Sequence, residues 1–303
     1  MNNWYNKELR EKYAILRKLL KYGNDEKIIN TMNVIEACLS NECIPGDINI
    51  LLEEDYLELT KTRFIWPYIT KISQINNDFI SDFSNDETIL SKRDIIDLLY
   101  VFFKNGTTKE IYELFCKIYR ENKKNIHFVN NNDMSCSGEI IYLEYFRKTY
   151  IQVFKSYSFE DLNTFAHEFG HAIQFNINFH HNLYGKLNTY IEIISIFFEL
   201  ICNEYFVNSE FRKPAIITNY STLDEHLENA KNLNNELILL NAIPSSKDKL
   251  RKNIDILIDC LSKNDIDSIM YLRPSTDYIY VFAFLVATNL FMIYQIDRDK
   301  AFI

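Results

Sequence analysis

Two histidines and a glutamate lie together in the segment His167-Glu-Phe-Gly-His171. On an α-helix, residues four positions apart lie one turn apart on the same face, so both imidazoles can bind one metal ion. Glu168, next to the first histidine, can reach a water molecule on that ion and accept its proton. The pattern predicts a hydrolytic zinc site, which needs a third protein ligand and an open fourth position. Other divalent metals stay open, although two imidazoles and a carboxylate suit zinc well.

The helix that carries this motif is predicted to begin after Ser158, a residue type that caps helices, with the acidic Asp161 three positions on. Apolar residues then recur at helical spacing from Leu162 to Ile173. Gly170 interrupts this helix at a cost of about 1 kcal/mol relative to Ala. We predict that a side chain at position 170 would crowd the facing helix or a substrate strand. The alternative to a metal site is a pair of partly buried histidines beside polar partners.

A third ligand is available on the next predicted helix, residues 187–209. Glu192, Ser195 and Glu199 share one face of a segment that is otherwise dense in Ile and Phe. Carboxylates in such surroundings are rarely buried without a partner. We predict that Glu192 binds the metal and that Glu199 accepts a hydrogen bond from the second nitrogen of a metal-bound imidazole, with Ser195 supporting the ligands. The alternative places both carboxylates in solvent.

The combination of the two helices resembles the zinc peptidases of the thimet oligopeptidase and oligoendopeptidase F family. Members carry an E-x-x-S-x-x-x-E pattern on the second helix, which residues 192–199 match. Residues 160–166 are similar to the family's approach to its zinc helix, and Ser137-Gly138 with the strand-like residues 140–155 look like its substrate-side sheet. The resemblance covers roughly residues 90–297 of this sequence.

This resemblance implies a mainly α, gluzincin-type catalytic domain with a deep channel and a small β-sheet beside the active-site helix. It implies that His167, His171 and Glu192 hold Zn²⁺ and that Glu168 activates water. The expected substrate is a short peptide in extended conformation. Such a peptide would pair with an edge strand near residues 150–156.

The sequence departs from the family near its C-terminal end, where members carry a His and two Tyr that stabilise the intermediate and the substrate. Aligned on Pro274, the family His falls at Ser275 and the first Tyr at Tyr278, and no His follows His226. We predict Tyr278 as the phenol that donates to the developing oxyanion, with Tyr280 as the alternative. The position of the second Tyr holds Leu285 or Val286.

The chain of 303 residues is also much shorter than members of that family. A partner protein or a second copy of the chain could supply the missing wall of the channel, or the substrate could be one dedicated peptide. Losing donors to the oxyanion could slow the reaction roughly 100-fold.

Composition excludes several other classes of function. The net charge of −9 leaves no electrostatic footprint for nucleic acid. Six cysteines without a CxxC pair indicate reduced thiols, and the polar N-terminal segment lacks the pattern of a signal peptide, so we predict a cytoplasmic protein. The uncharged residues 278–296 are predicted to form a buried helix of a soluble domain and not a membrane span.

Only six glycines occur in a chain that is 47% hydrophobic, which favours a mainly helical protein over sandwiches and barrels. Short strands are expected only between residues 126 and 155. We predict an N-terminal helical region, residues 1–90, and a catalytic region, residues 91–303, that together form one compact unit. The predicted helices cover residues 7–22, 27–40, 47–83, 91–103, 108–119, 159–181, 187–209, 222–241, 246–262 and 276–295.

The sequence therefore predicts a zinc-dependent endopeptidase for short or unstructured peptides, including a dedicated maturation protease for one precursor. Two alternatives stay open. One is a weakened, peptide-binding or regulatory relative that keeps the metal, and the other is a helical interaction protein in which the motif is accidental.

Overall fold

The protein is mainly helical, with one three-stranded sheet. A computed structural model describes residues 6–20, 25–39, 66–75, 88–129, 137–154, 156–177, 188–240 and 277–302. The helix predicted for residues 246–262, and most of the one predicted for 47–83, lie outside the described residues.

The helices follow the sequence pattern closely, and the single sheet interrupts them after the fifth described helix. The helices are α1 (Asn6–Leu19), α2 (Glu26–Leu39), α3 (Trp66–Ile72), α4 (Lys92–Gly106), α5 (Lys109–Asn122), α6 (Phe159–Ile177), α7 (Asn188–Val207), α8 (Arg212–Leu240) and α9 (Asp277–Ile296). The strands are β1 (Ile126–Val129), β2 (Gly138–Leu143) and β3 (Lys148–Phe154).

Local capping explains where α4 and α5 begin. The Ser91 side chain accepts a hydrogen bond from the backbone N–H of Asp94, whose carboxylate accepts one from the Ser91 N–H. Thr108 caps α5 by accepting from the N–H of Ile111. Both caps satisfy N–H groups that have no partner within the helix.

The sheet has the order β1-β3-β2, with β3 parallel to β1 and antiparallel to β2. The predicted edge strand near residues 150–156 is therefore wrong, because β3 is the central strand and its backbone pairs on both sides. Sequence alone could not place it, because strand order depends on pairing between distant segments. Within the described part of the chain, β1 and β2 are the edges.

The two faces of the sheet are covered by different helices. Ile140 and Tyr142 of β2 face α6, where Tyr142 stacks on Phe175 at a ring-centroid distance of 5.4 Å. Alternate residues point the other way, because side chains in a strand alternate between faces. On that face the α1–α2 pair buries a separate apolar cluster: Leu9, Leu16, Ile28, Ile35, Ile141, Leu143 and Tyr150.

The main core lies between α6 and α7, with α4, α5, α8 and α9 packed around them. Phe169 of α6 meets the edge of the Phe115 ring at 4.8 Å, and Phe115 stacks on Phe103 at 4.2 Å. Aromatic pairs in such arrangements add about 0.5–1.5 kcal/mol beyond the area they bury. This core fixes how α6 and α7, the two helices with the predicted ligands, lie against each other.

At Gly170 the backbones of α6 and α7 approach each other closely. A Cβ atom at that position would lie 2.6 Å from the Cα of Ser195. The prediction that a side chain would crowd the facing helix is confirmed, and the crowded neighbour is the backbone of α7. No rotamer change can relieve such a contact, so residue 170 has to be glycine for the helices to cross here.

The helix α8 begins at Arg212, ten residues before its predicted start. Pro214 lies in the first turn of α8, where proline is tolerated because its missing N–H costs no hydrogen bond. The earlier start matters because it places α8 along α7 and α9.

Helix α9 is apolar over almost its whole length. Residues Ile279–Ile296 form a segment long and apolar enough to cross a membrane, and 22% of that segment lies inside the protein. Its first half is buried at Val281, Phe282 and Ala283, whereas Ile296 is 87% exposed. The prediction of a buried helix therefore holds for only part of its first half and is wrong for the rest.

The described cysteines whose side chains are placed, Cys116 and Cys202, form no disulfide. Free thiols of this kind are typical of a reducing compartment. A cytoplasmic location stays a prediction.

Candidate metal centre

A tight turn between β3 and α6 sets the start of the motif helix. The Asp161 carboxylate accepts hydrogen bonds from the backbone N–H groups of Ser156 and Tyr157, at 2.8 and 3.0 Å. Tyr157 has a φ of 62°, in the left-handed region, and the hydroxyl of Ser158 accepts from the N–H of Glu160 at 3.2 Å. Asp161 is 2% exposed, so this buried carboxylate anchors the first turn of α6.

Three predicted ligands come together between α6 and α7. The Nε2 atoms of His167 and His171 lie 3.1 Å apart. Oε2 of Glu192 lies 3.2 Å from Nε2 of His167 and 3.3 Å from Nε2 of His171. The three atoms thus form a nearly equilateral triangle, which is the one group in the described residues whose arrangement suits a metal ion.

The size of this triangle fits a small tetrahedral cation. Zinc binds histidine nitrogen and carboxylate oxygen at about 2.0–2.2 Å, and tetrahedral geometry then separates two ligands by about 3.3–3.5 Å. The three observed separations reach 3.3 Å and fall within about 0.2 Å of this range. A proton on one nitrogen could satisfy only one edge of the triangle, whereas a divalent cation would satisfy all three atoms.

Comparison of the chain with models of protein families, with curated proteins and with solved structures gave no match. The chemistry of the triangle has to be argued from its own atoms. Two imidazole nitrogens and one carboxylate oxygen are a donor set typical of zinc.

The atoms behind the triangle hold two of its three members in place. Nδ1 of His167 donates to Glu199 on α7, so the opposite nitrogen of that ring faces the triangle. The hydroxyl of Ser195, which is fully buried, donates to the backbone carbonyl of Glu192 at 2.9 Å and lies 3.3 Å from its carboxylate. Nδ1 of His171 is buried and has no such partner among the described residues.

Because Glu199 orients His167, we expect Glu199→Gln to weaken zinc binding about 10- to 100-fold, the usual effect of losing a partner of a ligating histidine. Competition with a chromophoric chelator measures the dissociation constant. Glu204→Gln removes the same charge from α7 away from the triangle and should leave that constant unchanged. Equal zinc affinity in Glu199→Gln and the unsubstituted protein would contradict a role for Glu199.

Glu168 lies on α6 against the first residue of β2. A Cβ atom at Gly138 would lie 2.5 Å from Oε1 of Glu168 and 2.8 Å from Cγ2 of Thr164. Any side chain at position 138 would therefore displace the Glu168 carboxylate. The sequence signal was the Ser137-Gly138 pair before a strand, but its contact with Glu168 could not be read from spacing.

Burial and neighbouring charges have opposite effects on the pKa values of Glu168 and His167. Burial raises the pKa of Glu168, although the two histidines oppose the shift. Burial lowers the pKa of His167, but the charge of Glu199 and hydrogen bonds to Glu192 and Glu199 outweigh it and leave the pKa well above its usual value. Without a metal, His167 therefore holds a proton that a metal ion would have to displace.

A cavity of about 340 Å³ opens beside His167 and Glu168. Tyr280 lines it from α9 and is 37% exposed. The side chain of Tyr278 lies outside the described residues, so its predicted role stays a prediction.

The spacing of the motif did not indicate several other residues that line the cavity. Among them are Glu160 and Asn163 on α6 and Glu225 and His226 on α8. Glu160 and Asn163 lie two turns and one turn before His167, so the face of α6 could have suggested them. Glu225 and His226 could not be found in this way, because nothing in the sequence sets how α8 is rotated towards α6.

Proposed function

We propose that this protein is a zinc-dependent, gluzincin-type endopeptidase that hydrolyses short or unstructured peptides. The observation that carries the proposal is the triangle of His167, His171 and Glu192, with Glu168 beside it on the wall of the same cavity. Hydrolytic zinc sites have three protein ligands, a fourth position open to water, and a nearby carboxylate that can accept a proton.

The residues of the chain divide the chemistry among them. Zinc, when bound, supplies a Lewis acid that acidifies water and polarises a carbonyl. Glu168 accepts the proton of the attacking water and passes it to the leaving amine. Its buried position, which raises its pKa, favours accepting that proton. Tyr280 can donate a hydrogen bond to the carbonyl oxygen as negative charge develops there, a role for which Tyr278 stays the predicted alternative.

The edge of the sheet next to the cavity is β2, since Ser137 and Gly138 line the cavity wall. We place the extended peptide along the outer edge of β2, where backbone groups that do not pair with β3 can bind it. This location replaces the one expected from the sequence at residues 150–156. A peptide along this edge would pass Gly138, the residue of β2 that lies against Glu168.

A weakened relative that binds peptides and keeps the metal is the second candidate. It is favoured by the single phenol, that of Tyr280, among the described residues of the cavity wall. Tight peptide binding to the zinc-loaded protein without any cleavage would favour this candidate.

The test is cleavage of an unstructured peptide library by the protein loaded with one equivalent of zinc, with products mapped by mass spectrometry. We expect internal cleavage that a chelator abolishes and added zinc restores. Calorimetry on the same samples should show a lower melting temperature after chelation, because a ligand that binds only the folded state stabilises it. Absence of cleavage by the zinc-loaded protein would overturn the endopeptidase proposal.

A further inference from the structure

Two carboxylates on the cavity wall have no lysine or arginine beside them among the described residues. Glu160 in the first turn of α6 and Glu225 on α8 both line the cavity and are both exposed. Partial burial raises the pKa of Glu225, and the negative charges of Glu199 and Glu160 raise it further, although His167 opposes the shift. Glu160 and Glu225 thus repel each other, and no lysine or arginine of the described chain affects the pKa of either.

Beside each carboxylate lies a buried polar atom that has no hydrogen-bond partner among the described residues. Oδ1 of Asn163 is one turn along α6 from Glu160, and Nδ1 of His226 adjoins Glu225 on α8. Asn163 is 5% exposed and His226 6% exposed, and both line the cavity. Buried polar atoms are nearly always hydrogen-bonded, so Asn163 in particular offers an acceptor that a bound molecule can use.

Apart from His167, whose proton a bound metal ion would displace, the described residues of the cavity wall carry no positive charge. Burial lowers the pKa of His226 to about 4, so the ring is neutral at neutral pH. No lysine or arginine occurs among the described residues that line the cavity. A divalent cation at the triangle would offset only two of the five negative charges of Glu160, Glu168, Glu192, Glu199 and Glu225.

We propose that Glu160, Asn163 and Glu225 form a subsite for a cationic group of the peptide substrate. This inference rests on the proposed peptidase function, because the subsite shares its cavity with Glu168 and His167. The planar donors of an arginine fit two carboxylates and an amide oxygen especially well, and the ammonium group of a lysine or of a peptide N-terminus offers the same charge. The positive charge of the peptide would then neutralise the charges of Glu160 and Glu225.

The experiment compares peptides that differ only in this charge. Zinc-loaded Glu168→Gln protein, in which cleavage is expected to be slow compared with binding, is titrated with three fluorescent peptides of one sequence. The first is acetylated and carries one arginine, the second has citrulline in its place, and the third has citrulline and a free N-terminus. We expect the arginine peptide to bind about 10-fold or more tightly than the acetylated citrulline peptide, as for charge-assisted hydrogen bonds.

Substitutions of the two carboxylates test whether they cause the preference for the arginine peptide. Adding Glu160→Gln and Glu225→Gln together should reduce the preference for arginine to less than about 2-fold, and each single change should reduce it in part. Glu228→Gln, which removes a charge from α8 outside the cavity wall, should leave the preference unchanged. A gain for the third peptide over the second assigns the subsite to the N-terminal amine as well, which also supports a cationic subsite.

Equal affinity for all three peptides, absence of binding, or a preference that survives in the double variant would overturn the subsite. Failure of the peptidase proposal is a separate outcome, because it is measured by cleavage with the unsubstituted Glu168. Circular dichroism of each variant shows that it is folded. The exposed positions of Glu160 and Glu225 make loss of the fold through either change unexpected.

Discussion

Glu168→Gln is expected to lower the rate of peptide cleavage about 10²- to 10⁴-fold while the protein keeps its zinc. Glutamine fills the same space against Gly138 but cannot accept the proton of the attacking water. Because Glu168 is not a member of the ligand triangle, the metal should stay bound. Steady-state kinetics with a quenched fluorescent peptide, together with metal analysis of the same sample, measures both effects.

The matched control is Glu204→Gln, which removes one carboxylate from α7 outside the cavity. It should retain both activity and zinc. Loss of zinc in Glu168→Gln would instead make Glu168 a residue that holds the metal. Full activity in Glu168→Gln would show that another group accepts the proton.

Gly170→Ala is expected to destabilise the protein by about 1–3 kcal/mol or more, as overpacking of a closely packed core does. Alanine is intrinsically better than glycine in a helix by about 1 kcal/mol, so helix propensity alone predicts the opposite sign. The added Cβ would lie 2.6 Å from Cα and 3.1 Å from N of Ser195. Relief of these contacts requires α6 and α7 to move apart, which separates both histidines from Glu192. Urea unfolding and zinc content should therefore both reveal the change.

Gly106→Ala is the comparison for this variant. There the new Cβ would meet side-chain atoms of Phe102 and Tyr205, the nearest at 2.9 Å, and no backbone of another helix. Side chains can shift where backbones cannot, so its loss of stability should be smaller and its zinc content normal. A rise in the stability of Gly170→Ala would contradict the close crossing of α6 and α7.

The ligand group was open to prediction because helical periodicity fixes which residues share a face. His167 and His171 are one turn apart whatever surrounds them, and Glu192 and Glu199 keep their spacing on the next helix. Contact between the two faces required only that the apolar sides of α6 and α7 pack together. For Gly170, the cost of glycine in a helix was itself the signal of a close approach.

Long-range arrangement was not open to prediction in the same way. The strand residues were recognised, but the central position of β3 depends on its pairing with two segments far apart in the chain. The wall formed by Glu225 and His226 depends on how α8 is rotated against α6. A single sequence records neither relation, because each is decided by the packing of the whole core.

Because helices cover both faces of the sheet, the order of translation affects how the protein folds during synthesis. Helices α1 and α2 are 14 residues each and leave the ribosome long before β2 and β3, whose outer face they cover. Isolated helices of that length are marginal in water. Their apolar sides therefore stay uncovered while the middle of the chain is made, which is the interval in which a chaperone would bind them. Helices α1 and α2, although translated before the sheet they cover, should therefore fold only after it.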